Sequence, residues 1–241
     1  GCFGATAQLG WDYLVQAGGQ TQEWMYGYSS YFGDSGVCNF NDNMSQFVTL
    51  TGYTAVERNS DAAVAEALVT KGPLAISVDA SSWSDYESGI FHGCNYSANI
   101  SMDHAVQLVG FGFDATLNQS YWLVRNSWSA GWGEEGFIRL LRQENETCGY
   151  NVDWISNGGG CQNGPNTVWA CGMCGILYDT AYPNVVTSTE ASSSSSSKAW
   201  IAGAVIGGVA GAAVVGFILV KLFGSKGDLG AEGTDLLNKE L

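Results

Sequence analysis

The apolar positions of the N-terminal part of the chain predict two helices separated by a polar loop. The first covers Ala5–Ala17 and ends at Gly18-Gly19. The stretch Gly27–Asn43 is rich in Tyr, Ser, Gly and Asn, which is typical of a loop. Ser60 is a good N-cap residue for a second helix over Asp61–Thr70, because its side-chain oxygen can accept from a free backbone N–H.

After the second helix the pattern changes to short runs of β-prone residues separated by Gly, Asn and Asp. Helices that come first and strands that come later predict an α+β fold rather than a repeated βαβ unit. No internal repeat interrupts this order. The predicted strands are Leu74–Val78, Ala105–Phe111, Tyr121–Arg125 and Gly136–Leu141.

The C-terminal part of the chain has the composition of a linker, a membrane span and a tail. Residues 185–198 include the polyserine run Ser192–Ser197, which favours a flexible linker. Ala199–Val220 contains no charged residue, and at about 1.5 Å per residue a helix of that length crosses a bilayer core of about 30 Å. We therefore predict a transmembrane helix over residues 199–222 and a cytosolic tail over 223–241. A buried core helix is the alternative for the apolar run.

Two short patterns in this C-terminal part suggest partners. Gly203, Gly207 and Gly211 recur every four residues, a spacing that lets two membrane helices approach closely, although glycine is also simply tolerated in such helices. In the tail, an acidic residue and three spacers precede two leucines, which resembles a dileucine signal for a sorting adaptor. The residues of that signal are Glu232, Leu236 and Leu237.

The sequence also predicts the compartment. Five Asn-x-Ser/Thr sequons precede the predicted span, at Asn43, Asn95, Asn99, Asn118 and Asn145. Together with the lysines that follow the span, they predict a single-pass type I membrane glycoprotein whose N-terminal domain is lumenal or extracellular, in a lysosome, a vacuole or the extracellular space. In such a compartment, disulfides among the seven cysteines are expected.

The charge and composition exclude several classes of function. A net charge of −14 disfavours nucleic acid, because phosphates are bound by Lys and Arg. The sequence shows no cluster of metal ligands and no phosphate-binding glycine loop, so we expect neither a metal nor a cofactor.

Two motifs carry candidate chemistry. Asp103-His104-Ala105-Val106 lies at the start of a predicted strand, and Asn126-Ser-Trp128-Ser-Ala-Gly-Trp132-Gly-Glu-Glu-Gly136 begins 22 residues after His104. The second motif resembles the asparagine motif of papain and the cathepsins, and the first resembles their histidine motif. Gly1-Cys-Phe-Gly4-Ala5 resembles their Gly-Cys-x-Gly-Gly segment. The resemblance covers about residues 1–184.

The resemblance implies a papain-like cysteine peptidase with a helical left lobe and an antiparallel β-barrel right lobe, incomplete at its N-terminus. Residues 1–51 would complete the helical lobe, and residues 52–184 would form the β-rich lobe. A thiol needs a base that stabilises the thiolate, and an imidazole held by a neutral amide provides one. His104 would be this base and acid, and Asn126 would orient it. Polypeptides would be the substrates.

The same resemblance implies substrate contacts and one disulfide. Gly4 would bind the substrate backbone, with Ala5 replacing the family's second glycine, and Trp128 and Trp132 would line the cleft. Asp179 would form the floor of the pocket for the residue two before the scissile bond, and its carboxylate would admit Arg or Lys as well as apolar side chains. Cys94 would pair with Cys174, while Cys148, Cys161 and Cys171 stay open. The remaining residues assigned to substrate binding are Thr6, Ala7, Ser77, Met102, Asp103 and Ala105.

The family's nucleophilic Cys and oxyanion Gln would lie upstream of Gly1, and Cys171-Gly-Met-Cys174 does not provide that context. We therefore expect a fragment that is inactive alone and a full-length parent that is active. The main alternative is a catalytically inactive papain-like ectodomain that binds a partner. An unrelated adhesion ectodomain would explain the sequons and the span, but not the asparagine motif.

Overall fold

Two helices and nine strands make up the secondary structure of the described residues, together with a short 3₁₀ turn. The computed structural model describes residues 4–41, 44, 48–96, 99–143, 145–156 and 165–186. The elements are α1 (Ala7–Gln16), β1 (Leu50–Ala55), α2 (Asp61–Lys71), β2 (Leu74–Val78), β3 (Ile90–Phe91), β4 (His104–Asp114), β5 (Gln119–Arg125), β6 (Phe137–Arg142), β7 (Cys148–Asn151), β8 (Val168–Cys171), the 3₁₀ turn Met173–Gly175 and β9 (Thr180–Val185).

Both predicted helices are confirmed, with small differences at their ends. Thr6 caps α1, because its Oγ1 accepts from the backbone N–H of Leu9. Gly18 takes a φ of 84° just after this helix, a conformation that glycine adopts without strain. Ser60 caps α2 as predicted, with its Oγ accepting from the N–H of Ala63 at 3.3 Å. The helix continues one residue beyond the prediction, to Lys71.

The strands form one seven-stranded sheet and a separate two-stranded one. The order in the large sheet is β1-β9-β2-β4-β5-β6-β3, and all its pairs are antiparallel except β3–β6. The sheet is therefore mixed, where the sequence predicted an antiparallel barrel. All four predicted strands are present: β2 has the predicted bounds, β4 and β5 are longer than predicted, and β6 is shifted by one residue. Strands β7 and β8 pair antiparallel by themselves.

The hairpin of β4 and β5 contains one irregularity. Gln107 and Leu108 pair with Arg125 and Val124, but Gly110 pairs with Leu123. Val109 is therefore an extra residue in β4, which is the arrangement of a β-bulge.

The core lies between α2 and the large sheet. Side chains of α2 contact β2 and β4, and burial of these apolar side chains is the main source of stability. A second, smaller cluster packs Ile100, Met102 and Trp154 against Val168 and Tyr178. The fully buried large side chains of the main core are Trp83, Trp122, Leu74, Ile76, Leu108, Ile138, Leu140, Ile176, Leu177 and Val64.

Two disulfides connect segments that are distant in the sequence. Cys94–Cys174 is present as the resemblance implied, and it joins the segment after β3 to the 3₁₀ turn. Cys148 pairs with Cys171 across β7 and β8, which resolves the pairing that the sequence left open. Cys38 is a free and exposed thiol.

Several predictions concern residues beyond this part of the chain. Residues 187–198 of the predicted linker, the span at 199–222, the dimerisation glycines, the sorting signal and Cys161 all lie outside the described residues. Val185, the first residue of the predicted linker, is instead the last residue of β9. Among the helices of the described ranges, none is both long and apolar enough to cross a membrane.

A half-buried carboxyl group near α2 gives an expectation about pH. Burial, with a smaller contribution from the charge of Asp61, raises the pKa of Glu146 to about 7. Because the folded pKa of Glu146 lies above its unfolded value of about 4.3, Glu146 contributes stability that is fully present below about pH 4 and is lost as the pH rises through about 7. We expect the free energy of unfolding of the full-length protein to fall between about pH 4 and pH 7, and Glu146→Gln to remove part of that fall. Chemical denaturation at several pH values checks this. Parallel curves for the two proteins would contradict it.

Candidate active site

The strands bring His104 and Asn126 to the same end of the sheet. His104 is the first residue of β4, and Asn126 directly follows the last residue of β5. Because the two strands are antiparallel neighbours, the start of one lies beside the end of the other. The 22-residue spacing in the sequence is thus spanned by a single hairpin.

The two side chains form a direct hydrogen bond. His104 Nε2 lies 2.8 Å from Asn126 Oδ1. Asn126 is buried, with an exposed fraction of 9 %. The same Oδ1 accepts from the backbone N–H of Ser127 at 2.8 Å, which identifies this atom as the oxygen of the amide. An amide oxygen can only accept, so Nε2 carries a proton. In the neutral imidazole the lone pair is then on Nδ1, on the opposite side of the ring.

The turn after Asn126 depends on glycine. The backbone N–H of Asn126 donates to the carbonyl of Gly136 at 2.9 Å, which closes the turn. Gly133 has a φ of 57°, and a Cβ there would lie 2.6 Å from the carbonyl oxygen of Phe137. Gly133 is therefore required by the backbone that holds Asn126.

An ion-pair network supports this turn. Arg139 donates from Nε and Nη2 to both oxygens of Glu134, at 2.8 and 2.7 Å, and from Nη1 to Asp114 at 2.7 Å. Glu134 also accepts from the N–H of Gly89. The bonds from Arg139 are the largest influence on Glu134 and hold its pKa below the ordinary value. Such bidentate pairs fix geometry as well as charge.

Three tryptophans form a cluster beside the imidazole, and two of them contact its ring. The ring of Trp128 lies 5.2 Å from that of His104, tilted by 31°, and is 39 % exposed, so it covers one face of the site only in part. Trp83 lies edge-on to His104 at 6.2 Å and is fully buried. Trp132 stacks on Trp83 and donates from Nε1 to its carbonyl oxygen. The sequence analysis missed Trp83, whose only signal is a large apolar residue in the polar segment after β2.

The structure brings together part of the expected substrate pocket. Ser77 and Ala105 are cross-strand partners in β2 and β4, and together with Ala7 and Asp179 they line a small pocket. Ser77 Oγ donates to Asp179 Oδ2 at 2.6 Å. Gln8 Nε2 donates to Oδ1 at 2.8 Å, a contact that the sequence analysis did not anticipate.

The other residues expected to contact substrate stay predictions, and their surroundings differ. Gly4 and Ala5 are exposed just before α1. Asp103 is exposed, and its Oδ1 accepts from the N–H of Ala80. Met102 is 2 % exposed and packs in the second apolar cluster against Ile100, not among the residues that line the pocket. No group of three potential metal-ligating side chains occurs within the described part of the chain.

The chain is similar to a protein family and to individual curated proteins. A family model described as papain family cysteine protease matches residues 1–157. The chain is 34 % identical over 155 residues to digestive cysteine proteinase 1 of Homarus americanus, and the aligned region covers 64 % of this chain and 46 % of that protein. It is 32 % identical over 185 residues to cysteine proteinase COT44 of Brassica napus, covering 76 % of this chain and 47 % of that protein. The chain thus spans less than half the length of these curated relatives.

Solved structures of similar fold include those of two proteases. The bromelain protease of Ananas comosus, in complex with the E64 inhibitor, superposes with a TM-score of 0.58 at 30 % identity, covering 76 % of this chain and 71 % of that one. Digestive procathepsin L2 proteinase from the larval midgut of Tenebrio molitor superposes with a TM-score of 0.55 at 27 % identity, covering 73 % and 46 %.

Proposed function

Because the chain belongs to the papain family of cysteine proteases, we propose that its full-length parent is a cysteine-type peptidase that hydrolyses peptide bonds. His104 acts as the base and acid, and Asn126 orients it. The observation that carries this proposal is the 2.8 Å contact between His104 Nε2 and Asn126 Oδ1, which leaves Nδ1 free for a thiol.

The nucleophile and the oxyanion-stabilising Gln come from residues that precede Gly1. Of the cysteines in the described residues, four are paired in disulfides and Cys38 is separate from the His104 site, lining a different pocket beside α1. A thiol near His104 Nδ1 transfers its proton to that nitrogen and forms a thiolate–imidazolium pair.

Acylation follows from this pair. The thiolate sulfur attacks the carbonyl carbon of the scissile peptide, and the oxyanion accepts hydrogen bonds from the upstream Gln and backbone. The imidazolium then donates its Nδ1 proton to the leaving nitrogen as the C–N bond breaks. The products are a thioester on the enzyme, a free amine and neutral His104.

In deacylation the same imidazole acts as a base, whereas in the preceding step its protonated form acted as an acid. His104 Nδ1 takes a proton from a water molecule, whose oxygen attacks the thioester carbon. The C–S bond breaks, the carboxylic acid product leaves, and the thiolate–imidazolium pair is restored. Asn126 keeps its bond to Nε2 throughout, because its Oδ1 is held in place by the N–H of Ser127.

Covalent labelling of the full-length protein tests the proposed function. An epoxide-type, thiol-directed probe should label the propeptide-free protein at mildly acidic pH, and His104→Ala should abolish the labelling. An absence of labelling in a correctly folded wild-type protein would refute the peptidase and favour an inactive binding ectodomain.

The carboxylate of Asp179 sets the expected preference two residues before the scissile bond. An Arg side chain there gains a charge-assisted hydrogen bond, which is worth about 1.5–3 kcal/mol, but it must displace the amide of Gln8. We expect Asp179→Asn to lower kcat/KM about tenfold for substrates with Arg at this position. Substrates with Leu are the control and should change little. Equal loss for both substrates would contradict the pocket assignment, and Gln8→Ala should raise the rate for Arg alone.

Six further predictions rest on the sequence. They are the membrane anchor, the type I orientation, the lysosomal or extracellular destination, the division at residue 51, the glycine-mediated dimer and the adaptor signal. We propose them together with the peptidase. Deletion of residues 199–222 should move the full-length protein from the membrane pellet to the supernatant in alkaline fractionation. A protein that is already soluble with the segment intact would contradict the anchor.

A further inference from the structure

The tip of the β4–β5 hairpin carries a sequon in an exposed position. The loop of residues 115–118 joins the two strands, and all four of its residues are exposed. Asn118 ends this loop, and the hydroxyl residue of its sequon, Ser120, lies in β5. The peptidase function makes no use of this motif.

The geometry of the loop is fixed by its own hydrogen bonds. Asp114 Oδ1 accepts from the backbone N–H groups of Thr116 and Leu117, at 2.9 and 3.0 Å. Its Oδ2 is held by Arg139. Asn118 has a φ of 52°, a left-handed conformation that Asn tolerates better than most residues. The carboxamide is thus presented by an ordered turn on the surface.

Apolar side chains are exposed on the same hairpin. Phe113 is 60 % exposed and Leu117 is 48 % exposed, while Phe111, two residues before Phe113 on the same face of β4, is 41 % exposed. Phe113 is the cross-strand partner of Ser120, so this apolar surface begins beside the sequon. Exposed aromatic and aliphatic groups in one patch favour association unless something covers them.

The hairpin tip lies far from the catalytic pair. His104 and Asp114 are the two ends of β4, and at about 3.4 Å per residue they are separated by roughly 30 Å. A large substituent at the tip therefore does not obstruct the substrate cleft. The disulfides Cys94–Cys174 and Cys148–Cys171 fit the oxidising compartment in which such substituents are attached.

We propose that Asn118 carries an N-linked glycan that covers the apolar tip of the hairpin. The co-reactant is a lipid-linked oligosaccharyl diphosphate. The amide nitrogen of Asn118 forms a bond to the anomeric carbon of the sugar and loses one proton, while the bond from that carbon to the diphosphate breaks and the lipid diphosphate leaves. The hydrated glycan then shields Phe113 and Leu117 from other molecules.

The occupancy of Asn118 is the first test. The full-length protein is produced through the secretory pathway of a eukaryotic cell, treated with a peptide N-glycosidase and digested. Enzymatic release converts a glycosylated Asn to Asp, so the peptide that contains Asn118 should gain the corresponding mass. An unmodified Asn118 in the full-length protein produced in this way would overturn the proposal.

Matched variants distinguish the effect of losing the glycan from the effect of changing the turn conformation. Ser120→Ala removes the sequon but keeps Asn118, Ser120→Thr keeps the sequon, and Asn118→Gly keeps a residue that tolerates positive φ. Ser120→Ala and Asn118→Gly should both lose one glycan and both aggregate faster and bind more apolar dye, while Ser120→Thr should match the wild type. Peptidase activity should be unchanged in all three. If loss of the glycan leaves aggregation and dye binding unaltered, the covering role is wrong.

Discussion

His104→Ala is expected to lower the kcat of the full-length protein for peptide hydrolysis by roughly 10²- to 10⁴-fold. In the proposed mechanism, the substitution removes the group that stabilises the thiolate, protonates the leaving amine and activates the water. Because all three roles belong to chemical steps, KM should change much less than kcat. Steady-state hydrolysis of a peptide substrate at several pH values measures the effect.

Combining this substitution with one at Asn126 distinguishes an orienting group from an independent one. Asn126→Ala alone is expected to cost about 10- to 100-fold, comparable to the loss of other groups that orient a functional imidazole. In the His104→Ala protein the same change should cost almost nothing, because Asn126 acts only through the ring. Additive losses would contradict the role assigned to Asn126.

His92 is the matched control for the histidine substitution. It is the other histidine of the chain, it is exposed, and its Nδ1 lies 3.2 Å from the carbonyl oxygen of Ile90. His92→Ala should leave kcat and KM within about twofold of the wild type, as expected for a surface substitution. A large loss in this variant would show that the activity depends on more than the His104 site.

Removal of Cys94–Cys174 is expected to have the largest effect on stability. The disulfide closes a segment of 80 residues, and the chain-entropy relation gives about 4.5 kcal/mol for a loop of that length. Both cysteines are buried, so the double substitution to Ala avoids leaving a buried hydroxyl. Denaturant unfolding of the oxidised full-length protein measures the loss.

The second disulfide provides an internal control. Cys148 and Cys171 are 23 residues apart, for which the same relation gives about 3.4 kcal/mol. Their double substitution to Ala should therefore destabilise the protein less than removal of Cys94–Cys174. The reverse order would show that strain or packing, rather than loop closure, dominates.

The sequence predicted the parts of the structure that depend on local signals. Ser60 and the apolar spacing after it define α2, and the motif around Asn126 identifies both that residue and its histidine. By contrast, β1 and β9 were not predicted. β1 contains Gly52 and β9 contains Pro183, both weak strand formers, and the two strands pair across most of the chain. Such non-local pairing has no local pattern that would reveal it.

At the candidate site, too, the sequence predicted residues that belong to motifs but not the contacts between distant segments. The resemblance assigned Asp179 to a substrate pocket but could not show Gln8 beside it, since that contact joins residues 171 positions apart. It also assigned Met102 to that pocket, and the side chain of Met102 packs in the apolar cluster of Ile100. The direction of one side chain along a chain segment is decided by the space available on each side, which the sequence does not display.

The hairpin is unequal in its tolerance of length changes. Residues added to the loop at its tip lengthen a segment that no other element aligns, so the pairing from Gln107 onward can stay as it is. Deletion of Val109 would remove only the bulge, because Leu108 and Gly110 already pair with the adjacent residues Val124 and Leu123. Deletion of the paired residue Gln107 would instead move His104–Val106 by one position against β5. In a strand that shift turns each side chain to the opposite face, so that His104 would point away from Asn126 and Val106 would leave the core. Evolution can therefore vary the far end of this hairpin freely, whereas the residue count between the bulge and the histidine is fixed.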